Sequence, residues 1–276
     1  MPDQEKIIKN LNELLSVGLK AMRQDALSIV ENAVKKTVPA TATYEKINLE
    51  GNCLHIEGKK YNVKNIENIF VIGAGKGSLP IVQALENILG DLITDGIVAI
   101  KKGHKSCLKK IKIVEAGHPI PDNRSFEAAD QMIQMARRAS KNDLVILPVT
   151  GGASALAILP PEGISLSEIQ NIYDLLLKSG APIEKINTVR RHLSQIKGGR
   201  LLSCVHPAKA VTLTLKTAPS HMPWPDLCLP DPTTFYDAID VLHQYNLWNK
   251  ISASICNYLE KAANHPEMET PKNLNE

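Results

Sequence analysis

From residue 68 onward the chain alternates short apolar runs with amphipathic stretches of helical period, and this alternation restricts the fold more than any other feature. The apolar runs at 68–73, 96–100, 111–115, 143–149 and 209–215 predict strands, and the stretches at 78–89, 124–140, 166–179 and 183–196 predict helices. Strands that are apolar on both faces need cover on both faces. The expected architecture is therefore α/β: a doubly wound, mostly parallel sheet with helices on both faces, a Rossmann-like three-layer sandwich whose sites gather at the carboxyl ends of strands. Ser165 and Glu168 have the spacing of a capping box and mark where the helix at 166–179 begins.

Ahead of this region, Ile8, Leu11, Leu14, Leu15, Leu19, Met22, Ala26, Ile29 and Val30 recur at helical intervals. They predict one long or two shorter amphipathic helices within residues 4–36, serving as scaffold. Leu54-His-Ile-Glu-Gly-Lys-Lys-Tyr-Asn-Val63 alternates around a glycine turn and predicts a small hairpin. No apolar run is long enough to span a bilayer. The opening Met1-Pro-Asp-Gln-Glu-Lys6 lacks the basic-then-apolar order of a secretory signal, so a cytoplasmic location and no membrane partner are expected. A net charge of +3 is too small to imply nucleic acid, and the lysine-rich stretch 101–110 has no interleaved aromatics. The five cysteines stand far apart with no metal-binding spacing, so they read as reduced structural thiols and nominate no transition metal.

Four segments carry chemistry. Ile69-Phe-Val-Ile-Gly-Ala-Gly-Lys-Gly-Ser78 runs a strand into a glycine turn that holds Lys76 at the mouth of the next helix. Gly73, Gly75 and Gly77 would leave amides uncovered, and the helix beginning at Ser78 would add its positive end, which together outline an anion site. The alternative is a plain glycine turn with a solvated lysine. A nicotinamide fingerprint fits poorly, because Ser78 replaces the third glycine and the next strand ends in Ile100-Lys-Lys102 in place of an acidic residue.

Glu115-Ala-Gly-His-Pro-Ile-Pro-Asp122 is a loop stiffened by two prolines. It either presents His118 and Asp122 to a hydroxy acid or is a rigid turn in which Asp122 caps a helix. Thr150-Gly-Gly-Ala-Ser154 forms a second small-residue turn after a strand, able to offer backbone amides and the hydroxyls of Thr150 and Ser154 to an anion. It lacks the G-x-S-x-G of a serine hydrolase. Two such cradles suit one phosphate-bearing and one carboxylate-bearing ligand. In Asn187-Thr-Val-Arg-Arg-His-Leu-Ser-Gln-Ile-Lys-Gly-Gly-Arg200, the residues Arg190, Arg191, Ser194 and Lys197 recur at helical intervals before Gly198 and Gly199 end the helix. Arg191 and Lys197 either reach a carboxylate or phosphate or form an ordinary basic helix face.

Taken in order, these four motifs closely resemble the class II glycerate kinases over residues 5–215, and the resemblance resumes at Pro230-Asp-Pro-Thr-Thr-Phe235. Members are ATP-dependent glycerate 2-kinases, many under the older label hydroxypyruvate reductase. The resemblance implies transfer of the γ-phosphoryl group of ATP, with Mg²⁺, to the 2-hydroxyl of D-glycerate. It implies Lys76 as a catalytic cation, Arg191 as the partner of an anionic group, and Gly151, Gly152 and Ser154 as binding groups. The chain corresponds to the family's N-terminal domain, and the sequence ends at Glu276, before the C-terminal MOFRL domain. Residues 216–229 depart from the family pattern, which there carries an acidic Ser-Asp-Val-x-Gly-Asp motif suited to holding Mg²⁺. These two departures predict weak turnover or a non-catalytic anion-binding remnant. They point to a second copy or a separately encoded C-terminal domain as partner.

Overall fold

The computed structural model describes residues 6–104, 106–215 and 226–273. The chain divides into two compact units, Met1–Asn62 and Val63–Glu276.

In the first unit, α1 (Leu11–Leu14), α2 (Lys20–Thr37) and α3 (Pro39–Lys46) precede an antiparallel meander of β1 (Ile47–Glu50), β2 (Cys53–Ile56) and β3 (Lys59–Asn62). The expected hairpin is β2 and β3, with Cys53 opposite Asn62 and Ile56 opposite Lys59. Its two turn residues, Glu57 and Gly58, both take positive φ, the geometry that lets a two-residue turn follow the strand twist. Helix α2 forms where the periodicity places it, but Leu19, Met22, Ile29 and Val30 are exposed. Period specifies an amphipathic helix, and says nothing about what covers its apolar side.

The second unit runs β4 (Ile69–Ala74), α4 (Ser78–Leu89), β5 (Ile93–Lys101), β6 (Ile111–Ala116), α5 (Asn123–Arg138), β7 (Leu144–Val149), α6 (Ala153–Leu156), α7 (Leu166–Lys178), α8 (Ile183–His192), α9 (Arg200–Val205), β8 (Lys209–Thr214), α10 (Phe235–Gln244) and α11 (Ala253–Ala263). Five strands form one parallel sheet in the order β6-β5-β4-β7-β8. Because β4 pairs with β5 on one side and β7 on the other, the winding reverses between β4 and β7, and their carboxyl ends open the crevice of a switch point. One core packs Phe70, Ile72 and Ala74 of β4 against Ala128, Met132 and Ala136 of α5, while α4 buries Val82, Leu85 and Leu89. A second core joins Ile172 and Leu176 of α7, Ile186 and Val189 of α8, and Val241 and Leu242 of α10.

The helix expected over 183–196 ends at His192. The Gln195 amide leaves the helical path to donate to the Leu159 carbonyl at 2.6 Å, and Gly198 and Gly199 take positive φ, which lets Gly199 start α9. Ser194 and Lys197 therefore do not share a helical face with Arg190 and Arg191. The capping box at Ser165 and Glu168 is present as expected. All five cysteines are free, and burial pushes the Cys228 thiol up to about 12. Among the described residues no helix is long and apolar enough to cross a membrane.

Candidate functional site

The two glycine turns lie side by side at the switch point and are sewn to each other. The Lys76 amide donates to the Gly151 carbonyl at 2.8 Å, and the Thr150 amide to the Ala74 carbonyl at 2.9 Å. The buried Thr150 hydroxyl accepts the Gly77 amide at 2.9 Å and shares a proton with Ser78 Oγ at 3.1 Å; Ser78 Oγ also donates to the Pro148 carbonyl. The amides of Gly75 and Ser78 bond to Ala99 and Gly75 carbonyls. The expectation of uncovered amides in the first turn is thus corrected: those of residues 75–78 all serve the scaffold. A Cβ at Gly73 would overlap the Pro148 carbonyl oxygen, and one at Gly75, whose φ is +148°, would overlap the Thr150 hydroxyl. These glycines let two strand ends approach.

Gly152 has a different neighbourhood. A Cβ there would lie 3.0 Å from His118 Nε2 and 3.1 Å from Lys76 Cγ. Side chains from two of the four sequence motifs therefore converge over one bare backbone position of a third. Lys76 itself is exposed. The amides of Gly151 and Gly152 have no bonded acceptor among the described residues, and the buried Ser154 hydroxyl has no partner.

His118 sits in the loop between β6 and α5, beside a cleft of about 410 Å³ whose walls include Lys101, Lys102, Asp122 and Gln170. Burial lowers the His118 pKa from its ordinary value, and the charges of Lys76, Lys101 and Arg190 lower it further, which favours the neutral imidazole. Positive potential without a charged histidine is a setting for an anion that also needs a proton acceptor. Asp122 takes the structural role left open by its sequence. It caps α5 by accepting the Ser125 amide at 3.1 Å, and it pairs with Lys102 at 2.7 Å. Burial opposes its ionisation, but Lys102 and the Gly117 and Ser125 amides outweigh that and hold its pKa low.

Arg191, expected to meet an anionic ligand, is turned inward. Only 6% of its side chain is exposed, and its Nε and one terminal nitrogen bond Asp226 at 2.6 Å and Asp231 at 3.0 Å. Lys197 is fully buried and donates to the Tyr173 hydroxyl at 2.5 Å. Both are corrections of reach: their charges are spent inside the second unit. The residue missed from the sequence is Arg190, whose guanidinium stacks on Tyr173 at 4.2 Å with its buried Nε unpartnered. No signal in two adjacent arginines distinguishes them; only their tertiary partners do.

Two stability predictions follow from these placements. Gly73→Ala is expected to cost at least about 3 kcal/mol, because the overlap is with backbone, whereas Gly152→Ala costs about 1–2 kcal/mol for its φ of +93° and crowds Lys76 and His118. Urea unfolding of both variants checks the contrast. For Lys197, burial, helped by Arg190 and Arg191 and opposed by Asp226, brings the pKa down to about 7 from 10.5. Below 7 both folded and unfolded chains hold the proton and the penalty is full. Between 7 and 10.5 the unfolded chain binds the proton the folded chain has shed, so this group makes stability rise with pH by up to about 1.4 kcal/mol per unit. Lys197→Met is expected to remove that slope in urea titrations across the window.

The chain is similar to several known proteins. The family described as "Domain of unknown function (DUF4147)" matches residues 25–260. The chain is 36% identical over 253 residues to the glycerate 2-kinase of Pyrococcus horikoshii, covering 91% of this chain and 57% of that protein. It is 39% identical over 180 residues to a putative hydroxypyruvate reductase of Agrobacterium vitis, covering 64% of this chain and 47% of that one. The crystal structure of a glycerate kinase from Thermotoga maritima superposes with a TM-score of 0.76 at 32% identity, covering 93% of this chain and 57% of that chain. The chain spans about half the length of the curated relatives it matches.

Proposed function

The chain belongs to the DUF4147 domain family, and from that premise we propose that its switch-point cleft binds D-glycerate and the γ-phosphate of ATP for transfer of that phosphoryl group to the 2-hydroxyl. The observation that carries this reading is the convergence of Lys76 and His118 over Gly152, at the position where doubly wound sheets bind their ligands. Phosphoryl transfer needs little covalent help from a protein. It needs alignment and positive charge on the equatorial oxygens. Lys76 supplies a point charge there, and the amides of Gly151 and Gly152 supply further donors. The glycerate 2-hydroxyl oxygen attacks the γ-phosphorus as the bond to the ADP oxygen breaks. The hydroxyl proton passes to a nearby acceptor, a role that suits the neutral imidazole of His118.

Mg²⁺ accompanies ATP in such reactions. Among the described residues no group of three or more His, Cys, Asp or Glu side chains gathers to hold a metal ion, and Asp122 and Asp226 already face Lys102 and Arg191. The described residues do not fit a protein-built Mg²⁺ site, and residues 216–225, part of the stretch that departs from the family pattern, lie outside them. The cytoplasm, where ATP is abundant, is the compartment this reading requires. A second copy or a separate domain completing the cleft belongs to the same proposal.

A nicotinamide-dependent reductase is the competing activity. In dinucleotide sites the strand beside the glycine turn ends in an acidic residue for the ribose. Here β5 ends in Lys101, whose charge is felt at His118. Incubating the chain with Mg-ATP and D-glycerate is expected to yield ADP and 2-phosphoglycerate slowly and in equal amounts. Oxidation of NADH with hydroxypyruvate, and no ADP, would replace the kinase with a reductase.

A further inference from the structure

We propose that Arg190 is the residue that grips the planar oxyanion of the ligand beside His118. Helix α8 carries two adjacent arginines in opposite states. Arg191 has two carboxylates on its guanidinium. Arg190 is also buried, 8% exposed, yet no hydrogen bond or ion pair involves its guanidinium among the described residues, and its Nε is shut off from water without an acceptor. A guanidinium N–H left in that state costs free energy that a folded chain ordinarily avoids by pairing it. The cost is removed when a ligand supplies the missing oxygens.

The rest of the geometry favours that ligand. The Arg190 guanidinium lies 4.2 Å above the Tyr173 ring, which fixes its plane and leaves its edge donors for a two-point contact. Tyr173 stands one turn along α7 from Gln170, a cleft-wall residue that donates to the Pro121 carbonyl at 2.8 Å. The Arg190 charge reaches His118 along with those of Lys76 and Lys101, so all three cations act on one space. The carboxylate whose charge acts on Arg190 is that of Asp226, whose Oδ1 is already bonded to Arg191.

The chemistry recognised is a planar or trigonal oxyanion that accepts two parallel N–H bonds. The carboxylate of a short 2-hydroxy acid and a terminal phosphate of a nucleotide both offer it. This assignment rests on the kinase reading only for the identity of the ligand, because the grip is measured without turnover.

The experiment titrates D-glycerate, and separately inorganic phosphate and ATP, into the 276-residue chain and its Arg190→Lys and Arg190→Met variants by calorimetry. Arg190→Lys keeps the stem and charge but loses the fork, so it stays folded where Arg190→Met risks the core. The expected result is a loss of about 10-fold or more in affinity for one class of anion in Arg190→Lys, at an unchanged melting temperature. A loss confined to D-glycerate assigns the carboxylate, and a loss confined to phosphate and ATP assigns the phosphate. A second reading uses no ligand: the His118 pKa, followed by NMR and assigned through His118→Gln, is expected to rise in Arg190→Met. Unchanged affinities for all three anions, absence of binding to any of them, or an unmoved His118 pKa would each overturn the proposal. Arg190-dependent glycerate binding without phosphoryl transfer would instead fault the kinase reading and leave the grip standing.

Discussion

Replacing Lys76 by methionine is expected to lower formation of phosphoglycerate by about 10²–10³-fold while leaving the fold intact. The lysine stands on the turn between β4 and α4, with its amide fastened to the Gly151 carbonyl, so both glycine turns aim its side chain. Its Cγ lies 3.1 Å from where a Cβ on Gly152 would be, and His118 faces the same point. Phosphoryl transfer is accelerated chiefly by fixed charge near the transferring oxygens, and removing one such donor subtracts from the transition state directly. Lys76 is exposed, so the unfolding free energy is expected to change by less than about 0.5 kcal/mol. Methionine also removes one of the charges that depress the His118 pKa, which is expected to rise. Steady-state assays, urea unfolding and an NMR titration of His118 check the three parts. A variant with full activity would return Lys76 to the status of a solvated lysine on a glycine turn.

Asp226→Ala is expected to produce the largest loss of stability, about 3–5 kcal/mol. The Asp226 carboxylate is buried. Its Oδ1 accepts from Arg191 Nε at 2.6 Å, and its Oδ2 is enclosed without a hydrogen bond. Its negative charge acts on Arg190, Arg191, Lys197 and Tyr173 together. Taking it away leaves Asp231 as the carboxylate bonded to Arg191, and leaves Arg190 and Lys197 with less to offset their own burial. A buried ion pair adds little over a well-packed apolar pair, but breaking one side strands the other charge. Urea unfolding near pH 7.5 measures the loss, and a change below about 1 kcal/mol would show that the cluster relaxes or hydrates. Asp226→Asn retains a hydrogen-bond acceptor for Arg191 and is expected to cost less.

Much of the fold of the second unit is legible in the sequence, because strands covered on both faces and amphipathic helices write different periods. Ser165 with Glu168 declares a helix start by purely local chemistry, and Glu57-Gly58 declares a hairpin turn in the same way. Features that depend on distant partners are not legible. Gly73 and Gly75 match an anion-binding pattern, yet Pro148 and Thr150 pack against them, and that approach exists only once β4 and β7 are neighbours. Arg191 and Lys197 look like a basic helix face until the Gln195 amide leaves the helical path and the backbone turns at Gly198 and Gly199. Asp226 lies in the stretch that departs from the family pattern, and nothing local identifies it as the carboxylate that Arg191 requires. Arg190 and Arg191 differ in nothing but what the fold sets beside each.

The central claim is that the crevice at the β4–β7 switch point takes an anionic hydroxy acid through Lys76 and His118. An NMR titration of the His118 imidazole with D-glycerate tests it most directly, in the presence and absence of ATP and without depending on turnover. The account predicts a saturable shift of that resonance, a rise in the His118 pKa as the bound carboxylate offsets the surrounding cations, and a weaker response in Lys76→Met. A His118 resonance and pKa unmoved by millimolar D-glycerate, with ATP present or absent, would contradict it.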